Sequence, residues 1–179
     1  MPNESTADII KTVTNKESNL VIRPFTASDT DVVILIWGQC GLIKPWNNPH
    51  LDIVRKLSFQ PDWFLVGELY GEVIATAMFG CDEHRGWLNY FAVTPKFQKL
   101  GYGSQLMAFG EMKLIEKGCP KLNLQIRADN STAAIFYKTV GYTQDTVISL
   151  GKRLIKDEAL DKPIDKTINK PINNAQQKN

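Results

Sequence analysis

Two glycines stand two residues apart where a helix should begin. In "AVTPKFQKLGYGSQLM", residues 92–107, an apolar run stops at Pro95 and an amphipathic helical pattern follows Gly101 and Gly103. Glycine weakens helices, so the placing has one of two uses. It makes a tight strand-to-helix turn, or it bares the backbone so that a ligand can lie against it. In the second use the amides of Leu100, Gly101, Tyr102, Gly103 and Ser104 point out of a helix N-terminus with no side chain in the way. Free N–H donors at the positive end of a helix dipole suit a phosphate group. The pattern is not G-x-G-x-x-G, because position 106 is leucine, and no G-K-[ST] follows it. Dinucleotide and ATP readings therefore lose their main support.

The other residues with chemistry to offer narrow the field. Cys40, Cys81 and Cys119 are far apart, odd in number and without a CxxC pair. They read as reduced thiols, neither a zinc site nor a disulfide frame. His50 and His84 are the only histidines, too few for a multi-histidine metal centre, and no metal is expected. A net charge of +2 gives no argument for a nucleic-acid or membrane surface. No stretch is long and apolar enough to cross a bilayer, and the N-terminus lacks the apolar block of a signal peptide. The chain reads as cytoplasmic. A hydrophobic content of 43% is ordinary for one globular domain with a real core.

The elements that must position these residues follow from periodicity. Residues 1–19 are polar and read as a flexible arm. From about Lys156 a Lys-Pro-Ile-Asp/Asn theme with few large apolar residues reads as a disordered tail, 156–179. Between them "LVIRPF" is a short strand, and "SDTDVVILIWGQC" a helix capped by Ser28 or Asp29. "NPHLDIVRKLSF" is a second helix starting near Pro49, with Leu51, Val54 and Leu57 as its buried side. "WFLVGELY" and "EVIATAMFG" form a hairpin across "YGE", and "WLNYFAV" is a third meander strand. A helix from about Gln98 to Lys117 stops at Gly118 and Pro120, with Gly110 marking a close approach to the sheet. "KLNLQIRA" (121–128) is a strand, "STAAIFYKTV" (131–140) a helix, and "YTQDTVISLG" one or two last strands. This is a mixed α/β sheet with helices on both faces.

Two motifs then carry a resemblance. "V-T-P-K-F-Q-K-L-G-Y-G-S-Q-L" resembles the acyl-CoA-binding motif of the GNAT (Gcn5-related N-acetyltransferase) family, Gln/Arg-x-x-Gly-x-Gly/Ala, with Gln98, Gly101 and Gly103 in its defining places. The family's second motif is matched by Asn130, Ala133, Phe136, Tyr137, Gly141 and Tyr142. The resemblance covers about residues 20–155, and "GCPKLNLQIR" and "SLGKRLI" further resemble the YpeA-like branch of small bacterial members. It implies a central, mostly antiparallel sheet in which two parallel strands, here "YFAV" and "NLQI", splay at a bulge to admit pantetheine. It implies that the backbone of Phe91, Ala92 and Val93 bonds the pantetheine amides and that the amides of Leu100–Ser104 hold the pyrophosphate, with Gln98 or Lys99 nearby. Asn130 would contact the pantetheine arm, with Ala133 and Phe136 beside it in the motif. Tyr137 would be the general acid for the departing thiolate, a phenol of pKa about 10 facing a thiolate of similar basicity.

The resemblance also has gaps. Many members carry a carboxylate on the strand before the glycine motif, where this chain has Trp87 and Asn89. The base that neutralises the amine is then Glu68 on the strand behind, or Asp82, Glu83 or His84 in the "CDEHRG" loop, or a water chain. The acceptor would meet the loop "GLIKPWNNPH", whose Trp46 can stack and whose Asn47 and Asn48 can hydrogen-bond; the other use of Trp46 is a core plug. The cysteines lie outside both motifs, so transfer from acetyl-CoA to an amine is expected to be direct. The acceptor is a small molecule or a protein amine, and a homodimer is compatible with the reading. The rival from another class is a catalytically silent acyl-CoA-binding regulatory module of the same fold.

Overall fold

The computed structural model of the chain describes residues 19–157. Nearly all of the N-terminal arm and of the C-terminal tail read from composition lie outside that range. Five strands and four helices follow in order: β1 (Leu20–Pro24), α1 (Thr30–Gln39), α2 (Pro49–Leu57), β2 (Phe64–Leu69), β3 (Glu72–Cys81), β4 (Gly86–Val93), α3 (Tyr102–Glu116), β5 (Leu122–Leu124) and α4 (Ser131–Thr139). The sheet order is β1-β2-β3-β4-β5. All pairs are antiparallel except β4 with β5, which is parallel.

Strand alternation divides the core in two. One sheet face carries Leu65, Leu69, Ile74, Phe79 and Leu88 against Leu106, Met107 and Leu114 of α3. The other carries Phe64, Val66, Met78 and Ala92 against Val33, Ile36 and Trp37 of α1 and Ile53 of α2. The β2–β3 hairpin closes through Tyr70 and Gly71, both at positive φ (51° and 81°), the twist-matched two-residue turn that "YGE" announces. Gly110 is where α3 touches the sheet: a Cβ there would lie 2.1 Å from the ring of Phe79. Only a bare Cα permits that approach.

Four expectations change. Asp29 precedes α1, but its carboxylate turns back to accept from the Thr26 amide (2.8 Å) and from Arg23 (2.7 and 3.0 Å). The Arg23 guanidinium holds that carboxyl below the usual carboxylate range. The third helix starts at Tyr102, not near Gln98, because Pro95–Phe97 form a single 3-10 turn first. In α2 the buried residues are Pro49 and Ile53, while Leu51, Val54 and Leu57 face outward. The apolar stripe was legible; which side meets the sheet is decided by tertiary packing. After Leu124 the chain leaves the sheet, and no strand forms after α4 among the described residues. Residues 145–149 do run alongside 121–125, tied through Lys121–Asp145 (2.5 Å) and Gln125–Ser149 (2.5 Å), but by side chains alone.

The β4–β5 pairing is short for a structural reason. Gly86, Trp87 and Leu88 pair with Leu122, Asn123 and Leu124, and there the ladder ends. One residue later β4 carries an extra residue against β3: Met78 faces Asn89, but Thr76 faces Ala92. Tyr90 absorbs the bulge at φ 49°. A bulge bends and twists its strand, so β4 runs on to Val93 without a partner on its β5 side.

Candidate functional site

The unpaired half of β4 is where the two sequence motifs meet. The bulge directs Tyr90 to the α1 face and Phe91 to the α3 face. Phe91 stacks on Phe136 of α4 at 5.5 Å and approaches Tyr137 at 6.0 Å. Gly103 in the first turn of α3 sits beneath both, since a Cβ there would lie 3.4 Å from the Phe136 and Phe91 rings. Helices α3 and α4 and strand β4 therefore converge on one aromatic cluster, with Gly101–Ser104 at its rim.

The first turn of α3 has an open approach. Gly101 is its N-cap at φ 88°, a conformation that L side chains rarely adopt, and no heavy atom lies within 4 Å of where its Cβ would be. No side chain caps the turn, so amides of Tyr102, Gly103 and Ser104 face outward at the positive end of a 15-residue helix. Lys99, at φ 61°, and Leu100 are exposed beside it. Gln98, expected near a pyrophosphate, donates instead to the Val93 carbonyl at 2.8 Å. The same carbonyl accepts the Cys40 thiol at 3.3 Å. Gln98 and Cys40 thus fix the turn between β4 and α3, and Ala92 is buried on the α1 face.

Tyr137 is buried between Phe136 (5.2 Å) and Tyr142 (5.7 Å). Its hydroxyl makes no hydrogen bond among the described residues, and burial pushes the phenol well above its ordinary pKa. The adjacent Tyr142, by contrast, donates to Glu111 of α3 at 2.6 Å. Two backbone bonds that close α4, Gly141 N–H to Lys138 and Tyr142 N–H to Tyr137, seat the second tyrosine beside the first. Asn130 is the N-cap of α4 and accepts from the Ala133 amide at 3.0 Å, which leaves its NH2 group free to donate outward.

On the opposite face the α1–α2 loop approaches the bulge. Asn47 donates to the Tyr90 hydroxyl at 3.1 Å, and that hydroxyl donates to Asp52 of α2 at 2.5 Å. The Tyr90 ring stacks on Trp37 at 4.1 Å. Trp46 is exposed, not a core plug, with the Arg127 guanidinium 5.8 Å over its ring. Arg55 links Asp52 (3.1 Å) to Asp157 (2.6 Å). Sequence reasoning did not single out Tyr90, Asp52 or Arg127; the i,i+3 pair Asp52–Arg55 was the available signal for one of them.

The base candidates have partners of their own. Glu68 accepts from Arg23 at 2.9 Å and so belongs to the Arg23–Asp29 cluster. Its neighbour Gly67 faces Ala75 of β3, which faces Val93, so Glu68 stands two strands across the sheet from the end of the unpaired β4 edge. Asp82 accepts from the amides of His84 (3.0 Å) and Arg85 (2.5 Å), closing the β3–β4 turn at the far end of β4. Among the described residues no group of three or more His, Cys, Asp or Glu is set to hold a metal ion, and no helix is long and apolar enough to cross a membrane.

Known proteins resemble this chain in sequence and in fold. An acetyltransferase of Sodalis glossinidius is 46% identical over 138 residues, 76% of this chain and 97% of that protein. Among solved structures, Ard1 from Thermoplasma volcanium superposes with a TM-score of 0.64 at 27% identity, covering 70% of this chain and 83% of that one. The aminoglycoside N-acetyltransferase AAC(6')-Iy, solved in complex with CoA, has a TM-score of 0.59 at 18% identity, covering 79% of this chain and 99% of its own. The model of the acetyltransferase (GNAT) family matches residues 32–142, from α1 through the aromatic that closes α4. The chain is an acyltransferase and belongs to the GNAT family.

Proposed function

We propose that this protein moves an acetyl group from acetyl-CoA directly to a primary amine, with Tyr137 as the proton donor to the departing thiolate. The observation that carries the reading is the convergence of an uncapped α3 N-terminus, an unpaired β4 edge and a buried tyrosine on one aromatic cluster. Each part fits one piece of acetyl-CoA. The amides from Gly101 to Ser104 suit the pyrophosphate, with Lys99 beside them. The free edge of β4 from Phe91 to the Val93 amide can receive the pantetheine amides as a further strand would, the Val93 carbonyl being taken by Gln98 and Cys40, and the NH2 of Asn130 can donate to the same arm. The CoA complex of the aminoglycoside N-acetyltransferase neighbour supports this donor.

The amine nitrogen attacks the thioester carbonyl carbon, the C–S bond breaks as the tetrahedral intermediate collapses, and the thiolate takes the Tyr137 proton. Burial keeps the phenol neutral through the physiological range, so the proton is present whenever substrate arrives. The same burial makes it a weaker acid, so its transfer needs the thiolate to be equally desolvated. The amine approaches from the α1–α2 face, past Trp46 and Asn47, and loses its own proton to solvent or to a group of that face.

Acetyl-CoA binding by calorimetry, followed by thiol release with an amine panel, tests the reading. Tyr137→Phe is expected to keep acetyl-CoA affinity within about twofold and to lower turnover on the order of 10²-fold. Equal turnover would remove the acid role. Tight binding without thiol release from any amine would favour the silent regulatory module.

A further inference from the structure

The acceptor side of the molecule carries cations whose donors the fold leaves open. Two arginines from separate parts of the chain converge on Trp46 of the α1–α2 loop. The Arg127 guanidinium, from the loop between β5 and α4, stands 5.8 Å over the exposed Trp46 ring. Arg153, from the chain after α4, donates through one nitrogen to the Trp46 carbonyl at 3.1 Å. A guanidinium carries more N–H donors than these contacts use. Arg127 makes no hydrogen bond among the described residues, and its carboxylate neighbour, Asp129, is exposed and 3.8 Å away. Arg55 of α2 is a third guanidinium, but Asp52 and Asp157 take it. Asn47, next to Trp46 in the chain, reaches the other way. It donates to the Tyr90 hydroxyl, which donates to Asp52. The loop that meets the bulge through one residue therefore meets the two open guanidiniums through the residue before it.

We propose that the acceptor amine carries an anionic group, carboxylate or phosphate, which Arg127 and Arg153 bind beside Trp46 while the amine points to the bulge at Tyr90. The inference rests on the amine-acetylating reading above and names the substrate class of that site. Guanidiniums pair with either anion through parallel, charge-assisted bonds, which are stronger than neutral ones. The exposed indole face beside them covers an apolar part of the same molecule. A polyamine has no anion to offer and meets like charge at the two arginines, so it is the wrong acceptor. A cation–π clip that only tied the loop to the β5–α4 link would treat charged and neutral amines alike.

Matched amines test this: L-phenylalanine and L-phenylalaninamide, glycine and glycinamide, phosphoethanolamine and ethanolamine, with spermidine as the polycation. Binding to the full chain saturated with CoA is read by calorimetry, and KM is read wherever acetyl transfer occurs. The anionic member of at least one pair is expected to bind at least about tenfold more tightly than its mate. Arg127→Ala with Arg153→Ala is expected to remove that preference; should the double variant fail to fold, Arg127→Ala alone carries the test. Comparing the ratio within a pair between wild type and variant cancels the difference in amine basicity. Preference in the amino-acid pairs alone identifies a carboxylate, and in the ethanolamine pair alone a phosphate. The proposal is overturned by no preference for the anion in any pair, by tighter binding of spermidine, or by a preference that survives in a folded variant. Acetylation of the neutral amines alone overturns it and leaves acetyl transfer standing. Anion-selective binding without thiol release overturns acetyl transfer and leaves the anion site standing.

Discussion

Lys56 shows what a single side chain does to the whole stability curve. Its ammonium is half-buried under β3 and donates to the Phe79 carbonyl at 2.6 Å. Burial pulls its pKa down from the ordinary 10.5 to about 8. Between those values the unfolded chain binds more protons than the folded one, so this group makes stability rise with pH from about 8. From about 9 the thiols of Cys40 and Cys119, pushed up by burial, oppose this rise, and above about 10 Tyr90, Tyr137 and Tyr142 add to the fall, because the folded state keeps protons that the unfolded chain loses. Lys56→Met should make the slope of stability against pH between 8 and 10 more negative in urea midpoints. An unchanged slope would show that Lys56 is not linked to folding. At this scale the turn into α3 was legible: Gly101 takes a positive φ and Gly103 packs against the Phe91 and Phe136 rings, as the bare positions suggested. Tyr90 was not, because a tyrosine at positive φ follows from strand register and leaves no mark in composition.

The helices test how far pattern reading reaches. Gly110 was read as a close helix–sheet approach, and the 2.1 Å clearance to Phe79 bears this out. Two terms compete in Gly110→Ala. Helix propensity gains roughly 1 kcal/mol, and overpacking in a closed core costs typically 1–3 kcal/mol. The Phe79 ring is 1% exposed and wedged between β3 and α3, so it has nowhere to go and the clash wins. The variant should be less stable by up to about 2 kcal/mol in urea unfolding, and a gain in stability would mean that α3 can lift off the sheet. Helix α2 marks the limit of pattern reading. Its apolar stripe of Leu51, Val54 and Leu57 is as regular as that of α3, yet it points away from the core, because Pro49 and Ile53 are the residues that pack. Periodicity fixes which residues share a face. What that face meets depends on elements far along the chain, such as Asp157, which Arg55 of α2 holds.

For the whole molecule, the sheet is a partition whose β4–β5 ladder ends just before the β4 bulge. The α3 face holds the uncapped amides, the aromatic cluster and Tyr137, while the α1–α2 face holds Tyr90, Asn47, Asp52 and the exposed Trp46. On the proposed reading, acetyl-CoA and the amine meet at the bulge from opposite sides, and neither must leave for the other to enter. That reading predicts a ternary complex, in which proximity supplies much of the rate. A covalent route would need an activated thiol at the bulge, and Cys40, bonded to Val93 there, is unsuited. Its thiol is committed to the Val93 carbonyl, and burial pushes its pKa up, which suppresses the thiolate. Initial-rate lines with acetyl-CoA and amine both varied should intersect, and acetyl-CoA alone should leave the intact mass of the protein unchanged. Parallel lines together with an acetylated Cys40 peptide would mean that the acyl group crosses the partition on the protein itself.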